Sequence, residues 1–183
     1  RSFSQSQNRV VLLFAGADFM SELTEPNWNE YFVQTVILDV DYLDLADSEK
    51  LIGLVDLRYE VGLPALMYEQ TQGHPCLLQK LCQEIVANAN KALKKDITRA
   101  DYDAGVQNVV LRRDNGVMDV FWGQFCKQRG LKDAVRQILR GETPNDKKQL
   151  LALEDHGFIV QDGARWRMRV PLFEAWLKRY EAL

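Results

Sequence analysis

The sequence predicts a mainly α-helical chain with a small amount of β-structure. A helical bundle is followed by a winged helix-turn-helix, and both are preceded by a short α/β segment. Three observations predict this. A continuous apolar run, Val10-Val11-Leu12-Leu13-Phe14, stands near the start; after Asp41 the apolar residues recur at helical spacing; and a single hairpin pattern lies between helices near the end. The expected boundaries are residues 1–41, 42–113 and 114–183.

Taken in order, Val10–Phe14 is bounded by Ala15-Gly16, as suits a strand buried on both faces of a parallel sheet. A short helix from Asp18 to about Leu23 and a second strand over Val33–Val40 follow. Two such strands do not make a stable sheet by themselves, so these residues read as the tail of an α/β domain. The opening RSFSQSQNRV has neither an initiator Met nor a signal-peptide core, and it reads as a cut point in a longer protein.

Helices are then expected over Asp47–Leu54 and Pro64–Glu69. The stretch TQGHPCLLQKLC opens the next one. Its apolar stripe is Leu77, Leu78, Leu81, Cys82, Ile85, Val86 and Ala89, with Gln79, Lys80, Gln83, Glu84 and Asn88 facing away. Gly73 ends the preceding segment, and Pro75 sits in the first turn, where a missing N–H costs nothing. Thr98 and Asp101 have capping-box spacing, and the helix they open turns Tyr102, Val106, Val109 and Val110 inward.

Asp114-Asn115-Gly116 is a breaker. Helices are predicted over Val117–Gln128 and Leu131–Leu139. A further helix is capped by Thr143 with Pro144 in its first turn, and it ends at His156-Gly157. A hairpin turns at Asp162-Gly163, and Pro171 starts a closing helix with Leu172, Phe173, Trp176, Leu177 and Tyr180 on one face.

Composition excludes several classes. Hydrophobic residues are 46% and charged residues 27% of the 183, an ordinary globular balance. No apolar run approaches the ~18 residues of a membrane span. Three cysteines, Cys76, Cys82 and Cys126, without a CxxC pair, and two isolated histidines, His74 and His156, argue against a disulfide framework or a zinc site. A cytoplasmic protein with reduced thiols is expected. The net charge is −3, with the basic residues concentrated toward the C-terminal end.

No GxxxxGK[ST] phosphate loop is present. Val36-Ile37-Leu38-Asp39-Val40-Asp41 has the form of a strand ending in a magnesium-holding carboxylate, but no phosphate loop precedes it. Arg165, Arg167 and Arg169 alternate, which places them on one face of a strand. They form either a solvated outer face or a cationic patch for phosphate on a nucleic acid, a nucleotide or an acidic partner. The preceding helix has Lys147 and Lys148 but also Asp146, Glu154 and Asp155, which would repel a nucleic-acid backbone. No nucleophile–base pattern marks a catalytic set.

The order of segments, VVLLFAGADFMSEL, Trp28, TVILDV, DLRYE, TQGHPCLLQKLCQEIV, DITRADYDAGV and HGFIVQDGARWRMRVPLFEAWL, resembles the C-terminal half of a prokaryotic STAND-type ATPase, a signal-transduction relative of the AAA+ proteins. The resemblance covers nearly the whole chain. It implies the last strands of a P-loop NTPase sheet, then a helical lid, then a winged helix. By the resemblance, Gly73, His74 and Pro75 form the lid's contact with the adenine side of a bound nucleotide, exposed in this chain, and Gly16 lies near the sensor-1 position. Ala17 stands where a small polar residue is common, which puts phosphate sensing there in doubt. Glu154-Asp155-His156-Gly157 matches the family's Met-His-Asp motif poorly, and that role is not carried over.

The resemblance therefore implies ATP or ADP with Mg²⁺ in the full-length parent and none in this chain, which is expected to be inactive in hydrolysis alone. Implied partners are other domains of the parent and an effector protein. The alternative is a winged-helix nucleic-acid-binding module carried by Arg165, Arg167 and Arg169. Self-association through open strand edges is a third expectation.

Overall fold

The computed structural model describes residues 36, 40–112, 116–124 and 130–180. The chain divides into two compact units, Arg1–Val40 and Asp41–Leu183. Of the first unit only Val36 and Val40 are described, and both are exposed and outside any strand. The predicted strand Val10–Phe14, the helix from Asp18, Trp28, Gly16 and the remainder of Val33–Val40 lie outside the described residues, as do Asn115, Cys126 and the end of the helix predicted to reach Gln128.

The second unit is mainly helical, with two small two-stranded sheets. Helix α1 spans Leu45–Ile52, capped by the Asp44 carboxylate, which accepts from the Asp47 N–H at 2.8 Å. Helix α2, Leu63–Thr71, has Pro64 in its first turn and ends in left-handed Gln72 and Gly73. Helix α3, Pro75–Lys91, lies against α4, Arg99–Leu111. The capping box of Thr98 and Asp101 forms as its spacing predicts. The close approach of α3 and α4 needs Gly105, where a Cβ would fall 2.7 Å from Ile85 Cγ1. Two short strands, β1 (Arg58–Tyr59) and β2 (Asp96–Ile97), pair in parallel, and Arg58 clamps Asp96 with two bonds of 2.6 and 2.7 Å. Strands of two residues give no alternation to read, and the sequence did not predict this pair.

Glu84 corrects the expected polar face of α3. It is 5% exposed. Arg112, at the end of α4, donates to its carboxylate at 2.9 Å, and Lys80 lies 3.3 Å away. A carboxylate can be buried there because two cations reach it, and one of them comes from another helix.

Helices α5 (Gly116–Gln124), α6 (Leu131–Leu139) and α7 (Lys147–Asp155) follow. Thr143-Pro144 does not cap α7. That stretch follows the exit of α6, where left-handed Gly141 lets the Glu142 N–H bond the Gln137 carbonyl at 2.9 Å, and Asp146 becomes the cap instead, accepting from the Lys148 N–H at 2.9 Å. Strands β3 (Ile159–Asp162) and β4 (Arg165–Met168) form an antiparallel hairpin. Its two-residue loop is Gly163-Ala164, one position later than the Asp-Gly pair suggests, because Asp162 pairs with Arg165.

Helix α8, Pro171–Tyr180, returns to pack on α2 and α4. Trp176 Nε1 donates to the Arg112 carbonyl at 3.3 Å, and the Tyr180 hydroxyl donates to the Leu111 carbonyl. Leu78, Leu81, Ile85 and Val109 of the bundle join Leu153, Ile159, Leu172 and Leu177 in one hydrophobic core. Full burial of each such side chain contributes about 1.5–3 kcal/mol.

Candidate functional site at the Gly-His-Pro seam

Gly73 takes φ +72°, and a Cβ there would lie 1.8 Å from the Leu43 carbonyl oxygen. The backbone of Leu43 therefore passes directly over Gly73, and the Leu43 N–H donates to the Gly73 carbonyl at 3.0 Å. Only glycine allows both the left-handed turn and the close crossing. Pro75 begins α3 as expected. His74 precedes it in extended conformation, with its N–H on the Thr71 carbonyl at 3.0 Å, and its side chain makes no capping bond.

The expectation that Gly73-His74-Pro75 is exposed is overturned at Gly73 and His74, while Pro75 is half-buried. Gly73 is buried and His74 is 8% exposed. The imidazole turns inward, 4.6 Å between centroids from Tyr42 and 4.5 Å, edge-on, from Phe121. Phe121 in turn meets Phe158 of the hairpin side and Phe173 of α8. These rings, with Leu77 and Val170, line a cavity of about 10 Å³, room for one water at most. His74 Nδ1 is buried without a hydrogen-bond partner. Burial lowers the imidazole pKa from 6.5 to about 4, and the nearby Arg169 charge acts in the same direction. The ring is neutral at pH 7.

Tyr42 covers His74 and reaches the other side of the seam. Its hydroxyl donates to the Gly157 carbonyl at 3.1 Å, and burial pushes the phenol up to about 12. Gly157, next to the helix-ending His156 of α7, is left-handed as the sequence predicts, and a Cβ there would stand 3.4 Å from the Tyr42 oxygen. The Arg169 guanidinium lies 4.0 Å above the Tyr42 ring centroid. It also clamps the Asp41 carboxylate with bonds of 2.8 and 3.0 Å. Those bonds from Arg169 hold the Asp41 carboxyl below its usual range.

Arg165 and Arg167 are exposed on the hairpin, with Arg167 paired to Asp162 at 3.3 Å. Arg169, just past β4, is held by Asp41 and Tyr42, so the three arginines do not act as one free cationic face. Asp41, the last carboxylate of the metal-strand pattern, is committed to Arg169. Among the described residues no group of His, Cys, Asp and Glu side chains could hold a metal ion. Gly16 lies outside the described residues.

The space beside Gly73 and the imidazole of His74 is already occupied by this chain. The Leu43 backbone fills the space beside Gly73, and the cavity next to His74 admits nothing larger than a water. Asp41, Tyr42, Leu43 and Phe121 carry no sequence signal for this site. Gly157 is recognisable only as a helix end.

Compared with known proteins, the chain matches no family model, no curated protein and no solved structure. No helix of the described residues is long and apolar enough to cross a membrane.

Proposed function

We propose that this chain is the helical-lid and winged-helix portion of a STAND-type ATPase, and that its contribution to the parent is mechanical. In this reading α1–α4 are the lid, and α5, α6, α7, the β3–β4 hairpin and α8 are the winged helix. Gly73-His74-Pro75 is the joint between them. The observation that carries the reading is that one short segment, Asp41–Leu43, bonds both parts at once, through Gly73 on one side and Gly157 and Arg169 on the other. A segment placed there links the position of whatever precedes it to the joint of two modules, as a signalling switch requires.

By the same reading, Gly73, His74 and Pro75 would meet the adenine side of a nucleotide once Leu43 is displaced. The reading is tested in the coding sequence upstream of Arg1, which should contain GxxxxGK[ST] and an apolar strand ending in Asp; a parent polypeptide lacking both overturns it. The 183-residue chain alone should show no ATP turnover, since it carries no phosphate loop.

The nucleic-acid reading has less support. Of the arginines that suggested it, Arg167 and Arg169 are engaged with carboxylates.

A further inference from the structure

We propose that Asp41–Leu43 is a releasable strap, and that its detachment uncovers His74 and frees Arg169, giving the Asp41–Leu183 unit a closed and an open state.

The strap is three residues long and is attached at three points on two parts of the fold. Leu43 bonds Gly73, two residues after α2; Tyr42 bonds Gly157, two residues after α7; Asp41 accepts from Arg169 beyond the hairpin. Both backbone anchors are left-handed glycines; a Cβ at Gly73 would collide with the strap, and one at Gly157 would stand 3.2 Å from Arg169 Nη1. Of the three attachments, the Asp41–Arg169 pair lies at the surface, with the Asp41 side chain 68% exposed, while the Tyr42 and Leu43 bonds are part-buried. The exposed Asp41–Arg169 pair exchanges for water at little cost, so opening can begin there, and the half-buried Tyr42 and Leu43 then leave the edge of the core rather than its centre. What the strap covers is imperfectly packed: a cavity, and a ring nitrogen that finds no partner while the strap is closed. Opening would hydrate that nitrogen, which offsets part of the loss of aromatic contact. The strap also follows directly on Val40, so force on the preceding unit reaches it through one peptide bond.

The proposal holds whether or not the parent binds a nucleotide, and its test uses none. Diethyl pyrocarbonate acylates accessible neutral imidazole, and peptide mass spectrometry reads His74 and His156 separately in the 183-residue chain. In the wild type at pH 7, His74 should react much more slowly than His156. Asp41→Asn and Arg169→Gln should each speed His74 labelling about tenfold, the effect of losing a charge-assisted bonded pair, with helix content by circular dichroism unchanged. Asp41→Arg combined with Arg169→Asp should restore slow labelling, which a merely destabilised fold would not do. The proposal is overturned if His74 labels as fast as His156 in the wild type. It is equally overturned if the single variants keep the wild-type rate, or if the swapped pair fails to slow a rate that they raised. A missing upstream phosphate loop would sink the ATPase reading and leave these outcomes untouched.

Discussion

The Leu43 N–H donates to the Gly73 carbonyl at 3.0 Å, while the Leu43 carbonyl oxygen stands 1.8 Å from where a side chain on residue 73 would begin. One backbone crossing thus satisfies a hydrogen bond and excludes every residue but glycine. Gly73→Ala should cost the roughly 1–2 kcal/mol of a left-handed alanine and also push the strap away. Gly163→Ala is the control: φ there is +60° but nothing lies within 4 Å, so only the backbone cost applies. Urea denaturation should rank Gly73→Ala as clearly the more damaging. Equal midpoints would mean that the strap does not lie on Gly73.

His74 should make stability depend on pH. Its folded pKa of about 4 lies below the 6.5 of the unfolded chain, so the unfolded state takes up the proton first as pH falls. Above pH 6.5 neither state is protonated, and the residue adds no slope. Between 6.5 and 4 stability should drop, by about 3 kcal/mol at most. The charged and titratable groups around the ring are Asp41, Tyr42 and Arg169. The bonds from Arg169 hold the Asp41 carboxyl below the usual carboxylate range, so its contribution is lost only in more acid solution, and burial pushes the Tyr42 phenol up to about 12. The two windows are therefore separable. Urea midpoints at pH 7.5, 6 and 5 should fall for the wild type and stay nearly level for His74→Leu; parallel slopes would place the proton elsewhere.

Glu84 is held in the core edge by Arg112 and Lys80. Arg112→Ala removes the better bond and leaves a carboxylate that is 5% exposed with only the more distant lysine. The cost should be about 2 kcal/mol, and Glu84→Gln, which abolishes the charge, should cost less. If Arg112→Ala is neutral by chemical denaturation, Lys80 alone suffices.

These residues also mark what a sequence can and cannot disclose. Local rules worked where the partners are close in the chain: the Thr98–Asp101 capping box, the span Leu131–Leu139, the glycine after His156 and the start of α8 at Pro171. Periodicity placed Glu84 outside because it counts neighbours on one helix, and Arg112 belongs to another. Thr143 lost the capping position to Asp146 because the intervening residues leave α6 through a left-handed glycine. The strap was illegible for a simpler reason. Tyr42 lies in the polar stretch DVDYLDLADSE, with no period of its own, and its partners are 115 and 127 positions away, at Gly157 and Arg169. Gly-His-Pro was visible as a helix entrance, but nothing local says that the chain itself covers it.

The exposed arginines of the hairpin allow a last decision. If Arg165 and Arg167 read a duplex, α7 would lie beside them, and its exposed Glu154 and Asp155 would face the same phosphates. Repulsion from those carboxylates, together with the pairing of Arg167 to Asp162, should hold duplex DNA to the non-specific range, about 10⁻⁴–10⁻⁶ M at physiological salt. Removing both arginines should then change the affinity little. Fluorescence anisotropy at 50 and 200 mM salt provides the check. Nanomolar binding that collapses with salt and disappears in the Arg165→Ala/Arg167→Ala variant would turn the hairpin into a nucleic-acid contact and the mechanical reading into the weaker one.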